Sequence, residues 1–75
     1  DERLLRRVVK TTFNQRRKMM RGSIKPLLAE LDAQCPTPPD HTEFLAQPLL
    51  TRRPEQLSVE EFIGLTNLVA QHYAQ

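Results

Sequence analysis

Apolar residues recur with the period of an α-helix in the first part of the chain. Leu5, Val9, Thr12 and Phe13 fall on one face, which predicts an amphipathic helix over residues 3–13. The opposite, solvent-facing side of that helix then carries Arg3, Arg7 and Lys10.

A second apolar stripe predicts a helix that begins near Asn14 and reaches Leu31, with Met19 or Met20 among its apolar positions. Its continuity is open at Gly22, because Pro26 lacks an N–H and its ring presses on that carbonyl. The chain either kinks there or restarts with Ser23 as N-cap and Pro26 in a tolerated first turn.

Prolines separate this part of the chain from the next. Residues 33–41 hold three of the six prolines and predict a connector that cannot be helical. Beyond it, Thr42 is placed to cap a short helix over Glu43 to Gln47, which Pro48 closes.

The last apolar stripe has the clearest start signal. Ser58 followed by Glu61 forms a capping box, which predicts a helix from about Val59 to Tyr73. Its apolar face is expected to contain Val59, Phe62, Leu65, Val69 and His72. No stretch alternates with the period of a strand, so we expect an all-α fold, a small bundle of three to five helices.

Composition bounds the size and class of the protein. With 75 residues, 39% apolar and 27% charged, the chain has the make-up of one small globular domain over residues 1–75 with a small core. A lone Cys35 and two histidines distant in sequence, His41 and His72, do not suggest a disulfide or a zinc site, so a reducing cytoplasmic location is expected. No membrane span or signal peptide is indicated, and we expect a segment cut from a longer chain.

Charge is distributed unevenly along the chain. Residues 1–27 hold nine basic residues against two acids, a net charge of +7, and residues 28–75 hold two against seven, a net charge of −5. A basic part joined to an acidic part favours a polyanionic partner for the basic part.

The densest basic segment runs from Arg16 to Lys25. On a continuous helix Arg17, Arg21 and Lys25 recur every fourth residue, a spacing that can follow a phosphate backbone. Three alternatives remain open from the pattern itself: a solvated face, a nucleic-acid interface, or a surface for acidic lipid or protein.

Signals for catalysis are missing from the pattern. The chain has no glycine-rich phosphate loop and no Ser/His/Asp or Cys/His arrangement, and the adjacent Glu60 and Glu61 point in different directions on a helix. We therefore expect no enzyme site and no cofactor within these residues.

Two ordered motifs resemble a known family. Residues 13–25, Phe-Asn-Gln-Arg-Arg-Lys-Met-Met-Arg-Gly-Ser-Ile-Lys, are similar to the F-x-x-R-R-K-x-x-R-N-S-L segment of KsgA-type ribosomal RNA small subunit adenine dimethyltransferases. Residues 53–65, Arg-Pro-Glu-Gln-Leu-Ser-Val-Glu-Glu-Phe-Ile-Gly-Leu, are similar to the R-A-E-x-L-S-x-x-E-F-x-x-L segment that ends the same proteins. Gly22, Pro26 and Pro54 depart from the family pattern.

The resemblance implies that this chain is the carboxy-terminal helical domain of such an enzyme. The missing amino-terminal domain would bind S-adenosylmethionine and dimethylate two adjacent adenosines near the 3′ end of small-subunit rRNA during ribosome biogenesis. The implied partners are small-subunit rRNA in the immature subunit and the chain's own catalytic domain, with no membrane. The implied RNA-binding residues are Arg16, Arg17, Lys18 and Arg53, which Arg21 and Lys25 extend by the helix argument.

A different class of function stays open beside this one. In that alternative the chain is a protein-interaction domain, which docks a protein through its last helix or through Met19 and Met20. The basic residues would then be merely solvated.

Overall fold

Residues 2–15 and 17–74 are described by a computed structural model, which is all-α over that part of the chain, as the sequence predicted. Five α-helices occur there: α1 (Glu2–Phe13), α2 (Met20–Ser23), α3 (Lys25–Ala33), α4 (Thr42–Leu45) and α5 (Val59–Tyr73). Two 3-10 turns, Pro48–Thr51 and Pro54–Gln56, connect α4 to α5. The Cα radius of gyration is 11.3 Å, close to the roughly 11 Å expected of a compact domain of this length.

Helix α1 confirms the first predicted stripe and packs along α5. Val8 and Thr12 are fully buried, and the Thr12 hydroxyl donates to the Val8 carbonyl at 2.8 Å, which satisfies it without a partner from another element. Arg7 was expected on the solvent-facing side of this helix, and that expectation was wrong in one respect. Its half-buried guanidinium donates to Glu30 of α3 at 2.8 Å and so ties two helices together.

The second helix does not begin near Asn14, which corrects the sequence prediction. Residues 14 and 15 form a turn after α1, and α2 begins only at Met20. The reason is tertiary: the Met20 N–H donates to the Arg52 carbonyl at 2.7 Å, so it does not close a helical turn with the preceding basic residues. Burial of the Met20 side chain supports the same arrangement.

Near Gly22 the chain matches neither predicted alternative fully, neither a kinked helix nor a new helix capped by Ser23. The Ser23 hydroxyl is buried and donates back to the Met20 carbonyl at 3.3 Å, so it does not cap the next helix. Ile24 joins α2 to α3 in a near-helical conformation, with φ −86° and ψ −13°. Pro26 does lie in the first turn of α3, where its missing N–H leaves no helical bond unmade.

The proline connector is confirmed from residue 34 onward, since Ala33 still belongs to α3, and the short helix after it is capped differently from the prediction. Asp40, rather than Thr42, supplies the capping oxygen, since its carboxylate accepts from the Thr42 N–H at 3.0 Å and from the Thr42 hydroxyl at 2.9 Å. These bonds lower the pKa of Asp40. Helix α4 then begins at Thr42 and ends at Leu45, before Pro48 starts a 3-10 turn.

Helix α5 has the predicted bounds and the predicted capping box. The Glu61 N–H donates to the Ser58 hydroxyl at 3.2 Å, and the Ser58 N–H donates to the Glu61 carboxylate at 2.9 Å. One expected face residue was wrong, because Val59 is 74% exposed while Phe62, Leu65 and Val69 are buried.

A single core lies where α1, α2, α3 and α5 meet. Its buried apolar residues come from every helix: Val8, Met20, Ile24, Leu27, Leu28, Phe44, Leu50, Phe62, Leu65 and Val69. No helix in the described ranges is both long and apolar enough to cross a membrane.

Candidate nucleic-acid interface

The basic residues fall into two groups that differ in their intramolecular pairing. Arg6, Arg7 and Arg52 form ion pairs, with Glu2 at 3.7 Å, Glu30 at 2.8 Å and Glu61 at 2.7 Å, respectively. By contrast, Lys10 of α1 and five cations later in the chain are exposed and have no ion pair or side-chain hydrogen bond with any described residue; those five are Arg17, Lys18, Arg21, Lys25 and Arg53. We call these five residues the basic face. Arg16, the sixth residue expected there, lies outside the described residues.

Arg53 is brought to the basic face by one backbone hydrogen bond. The Met20 N–H donates to the Arg52 carbonyl at 2.7 Å, so the segment that carries Arg53 lies directly beside α2 and Arg21. Arg53 lies thirty-two positions after Arg21 in the sequence, and this hydrogen bond brings the two segments together in space. The backbone next to Arg53 therefore lies beside the start of α2, close to the first basic motif.

The adjacent Arg52 has a structural role. Its guanidinium donates to both Glu61 oxygens, at 2.7 and 3.0 Å, and to the Gln56 carbonyl at 2.8 Å. The Ser58 N–H and then the Arg52 guanidinium lower the pKa of Glu61. Arg52 thus anchors the start of α5, which leaves Arg53 as the exposed member of the pair.

The expected single row of Arg17, Arg21 and Lys25 on one helix was wrong. Arg17 and Lys18 precede α2, while Arg21 lies in α2 and Lys25 begins α3. Lys18 lies over Gly22, since a β-carbon added at Gly22 would be 3.9 Å from its side chain. The cations are consequently spread over a bent surface rather than along a straight line.

Two histidines that are thirty-one positions apart in the sequence, His41 and His72, come together in the fold. His41 Nδ1 and His72 Nε2 are 2.7 Å apart, and His41 Nε2 is 2.9 Å from the nearer Asp32 oxygen. The Tyr73 hydroxyl donates to the same carboxylate at 2.5 Å. The only sequence signal was the apolar period of α5, which placed His72 on its buried face. We call Asp32, His41, His72 and Tyr73 the histidine cluster.

Proton positions in the histidine cluster follow from the carboxylate. The Tyr73 hydroxyl and His41 donate to Asp32 and lower its pKa, so Asp32 is an acceptor and His41 Nε2 carries a hydrogen. His41 Nδ1 and His72 Nε2 are within hydrogen-bond distance of each other, and the tautomers of the two rings set which atom donates. Burial raises the pKa of Tyr73. Within the described ranges no group of three His, Cys, Asp or Glu residues is suited to a metal ion.

The histidine cluster predicts a loss of stability in mild acid. Burial, with the nearby His41, lowers the pKa of His72 below its ordinary 6.5. Below pH 6.5 the unfolded chain therefore binds a proton that the folded chain excludes, and stability falls as pH decreases. We expect the thermal midpoint, followed by circular dichroism, to be lower at about pH 5.5 than at about pH 7.5.

A matched variant assigns this pH effect to the histidine cluster. His72→Gln is expected to reduce the difference between the two midpoints, because it removes the group whose pKa the fold lowers. An unchanged difference in that variant would show that the acid effect arises elsewhere.

Comparison with known proteins gives a consistent set of relatives. Proteins named ribosomal RNA small subunit methyltransferase A are similar to this chain, at 55% identity over 71 residues in Bacteroides thetaiotaomicron, 47% over 72 in Parabacteroides distasonis and 41% over 71 in Pseudomonas aeruginosa. The alignments cover 95%, 96% and 95% of this chain, respectively, and 23% of each relative. The chain therefore spans about a quarter of the length of these curated relatives. No protein-family profile and no solved structure matches it.

Proposed function

We propose a function from the premise that this chain is homologous to a segment of the ribosomal RNA small subunit methyltransferase A proteins, as its two motifs indicated. The chain is the carboxy-terminal RNA-docking domain of an S-adenosylmethionine-dependent enzyme. That enzyme dimethylates two adjacent adenosines near the 3′ end of small-subunit rRNA. The docking partner is the immature small subunit in the cytoplasm.

The observation that carries this proposal is that the cations of the basic face have no acidic partners among the described residues. Its five exposed cations have no acidic partner among the described residues, although seven acids occur in residues 28–75. Glu30 and Glu61 pair with Arg7 and Arg52 instead. Exposed cations that the fold leaves unpaired are available to RNA phosphates, and each phosphate neutralised releases counterions.

Chemistry belongs to the rest of the protein in this proposal. The chain supplies binding and positioning. In a protein as long as its relatives, the remaining three quarters of the sequence would hold the cofactor and the catalytic groups. Contact with that catalytic domain is the second partnership that we propose. Residues of the basic face would then hold rRNA while the other domain reaches its adenosines.

A salt series tests the proposed function. Binding of the chain to small-subunit rRNA fragments is measured by fluorescence anisotropy. The logarithm of the association constant is expected to fall linearly with the logarithm of the salt concentration. The combined Arg16→Ala, Arg17→Ala and Lys18→Ala variant is expected to lower the slope by about 0.7 to 0.9 for each RNA phosphate that it no longer neutralises. Binding that does not respond to salt or to these substitutions would contradict the proposal.

An exposed apolar strip favours the second candidate, a protein-interaction domain. Val59 is 74% exposed, Ile63 is 45% exposed and Phe13 is 40% exposed. These residues lie on α5 and α1, and the Phe13 ring contacts Phe62 with centroids 5.6 Å apart. Phe13 also lines a shallow pocket with Arg17 and Lys18 of the basic face. A protein docked on this strip would lose affinity on Ile63→Asp, while RNA binding would be unchanged.

A further inference from the structure

A shallow groove lies between α2 and α4, next to the basic face. The groove is open to solvent and has a volume of about 640 Å³. The lining is mostly apolar and comes from Met19, Gly22, Thr42, Leu45 and Ala46, with Arg21 and Lys25 as its two cations. None of the described residues that line the groove is acidic.

Two features of the groove point to a ligand with an apolar part and an anionic part. Met19 leaves 42% of its surface exposed, although its neighbour Met20 is fully buried in the core. Arg21 and Lys25 are exposed and have no ion pair with a described residue. The fold thus keeps a soft, polarizable side chain and two uncompensated cations together at one open site.

We propose that this groove binds one unpaired nucleotide of the RNA. The base lies against Met19 and Leu45, and its phosphate is held by Arg21 and Lys25. Regular A-form RNA hides most of its base edges, whereas unpaired bases are splayed out and recognised by stacking on aromatic side chains or guanidinium planes. The groove offers the Arg21 guanidinium and the polarizable thioether of Met19 for such contacts. This inference rests on the proposed RNA-docking function and adds a preference for an unpaired base.

The size and charge of the groove favour a nucleotide over a protein segment. A docked helix requires apolar anchors over several turns, and α4, which forms one wall, is only four residues long. The site is also continuous with the basic face through Arg21 and Lys25, which belong to both. A ligand held on the basic face by its phosphates therefore has an adjacent base within reach of the groove.

Two hairpin RNAs test the inference, identical except that one carries a single bulged 2-aminopurine nucleotide. The chain is expected to bind the bulged hairpin about ten-fold more tightly than the fully paired one, with a change in 2-aminopurine emission on binding. Ala46→Leu fills the groove at an exposed position and is expected to abolish this preference while retaining binding of the paired hairpin. Helicity by circular dichroism confirms that each variant is folded.

Two further variants make the assignment to the groove specific. Gly22→Ala adds a methyl group to a residue that lines the groove, with the Lys18 side chain as its nearest neighbour at 3.9 Å, so it fits without a clash and should also weaken the preference. Lys10→Gln removes an exposed cation of α1 that does not line the groove, and the preference is expected to persist.

Each outcome separates this inference from the function on which it rests. Equal affinity for the two hairpins, or a preference that survives both Ala46→Leu and Gly22→Ala, would overturn the groove assignment while leaving RNA docking intact. Failure to bind either hairpin would overturn the docking function itself. If an acidic peptide competed with the bulged hairpin, and Ala46→Leu abolished that competition, the groove would be assigned to a protein instead.

Discussion

Leu65→Ala is expected to lower the free energy of unfolding by about 3 kcal/mol, a large part of the roughly 4–11 kcal/mol available to a domain of this size. Leu65 has no exposed surface and lies on α5, the helix that packs along α1. Truncation removes its apolar packing and leaves a cavity, because the surrounding helices collapse only partly. Chemical denaturation followed by circular dichroism measures the change.

Ile63→Ala is the matched control for this prediction. Ile63 lies two residues earlier on the same helix but is 45% exposed, so its truncation is expected to cost less than about 1 kcal/mol. Similar losses of stability for the two variants would show that α5 does not present the described face to the core.

Reversing two charges of the basic face is expected to weaken binding of small-subunit rRNA about 100-fold or more at low salt. The combined change, Arg17→Glu with Arg21→Glu, replaces two exposed cations with groups that repel phosphates. Because neither side chain contributes an ion pair or a hydrogen bond to the described part of the fold, helicity should be unchanged. Anisotropy titrations measure the affinity, and circular dichroism measures the helicity.

A second double reversal separates a specific surface from overall charge. Arg6→Glu with Lys10→Glu changes the net charge by the same amount on the exposed side of α1, and its effect on affinity is expected to be much smaller. An equal loss of affinity in both variants would mean that RNA senses only the total charge. Retained RNA binding in the first variant would favour the protein-interaction alternative.

Local patterns predicted the elements whose signals lie within a few neighbouring residues. The capping box of Ser58 and Glu61 and the apolar period after it located α5 correctly at both ends. The period of α1 and the prolines of residues 33–41 were equally reliable. Helical periods, caps and proline constraints act between residues at most four positions apart, so a sequence displays them directly.

The same patterns failed where a distant interaction competed with a local preference. The helix expected from Asn14 begins at Met20 because the N–H of Met20 binds the Arg52 carbonyl. Asp40 caps α4 in place of Thr42, and Val59 is exposed although it shares the period of the buried residues. In each case the geometry of the surrounding elements decided between options that the sequence left close in energy.

Charge and motif identified the candidate site, and only the tertiary structure showed which of its cations are paired and which are exposed. The uneven charge and the two family motifs are properties of the sequence itself, as is the selection of Arg53. That Arg52 is held by Glu61 while Arg53 stays exposed depends on where α5 begins relative to the 3-10 turn before it.

Packing also brought His41 to His72, thirty-one positions later, and formed the groove beside Met19. The sequence alone therefore determined α1, α5, the basic segment and the family resemblance of this protein. The tertiary structure decided which cations remain unpaired and which titratable groups meet, because those pairings join residues that no local period relates.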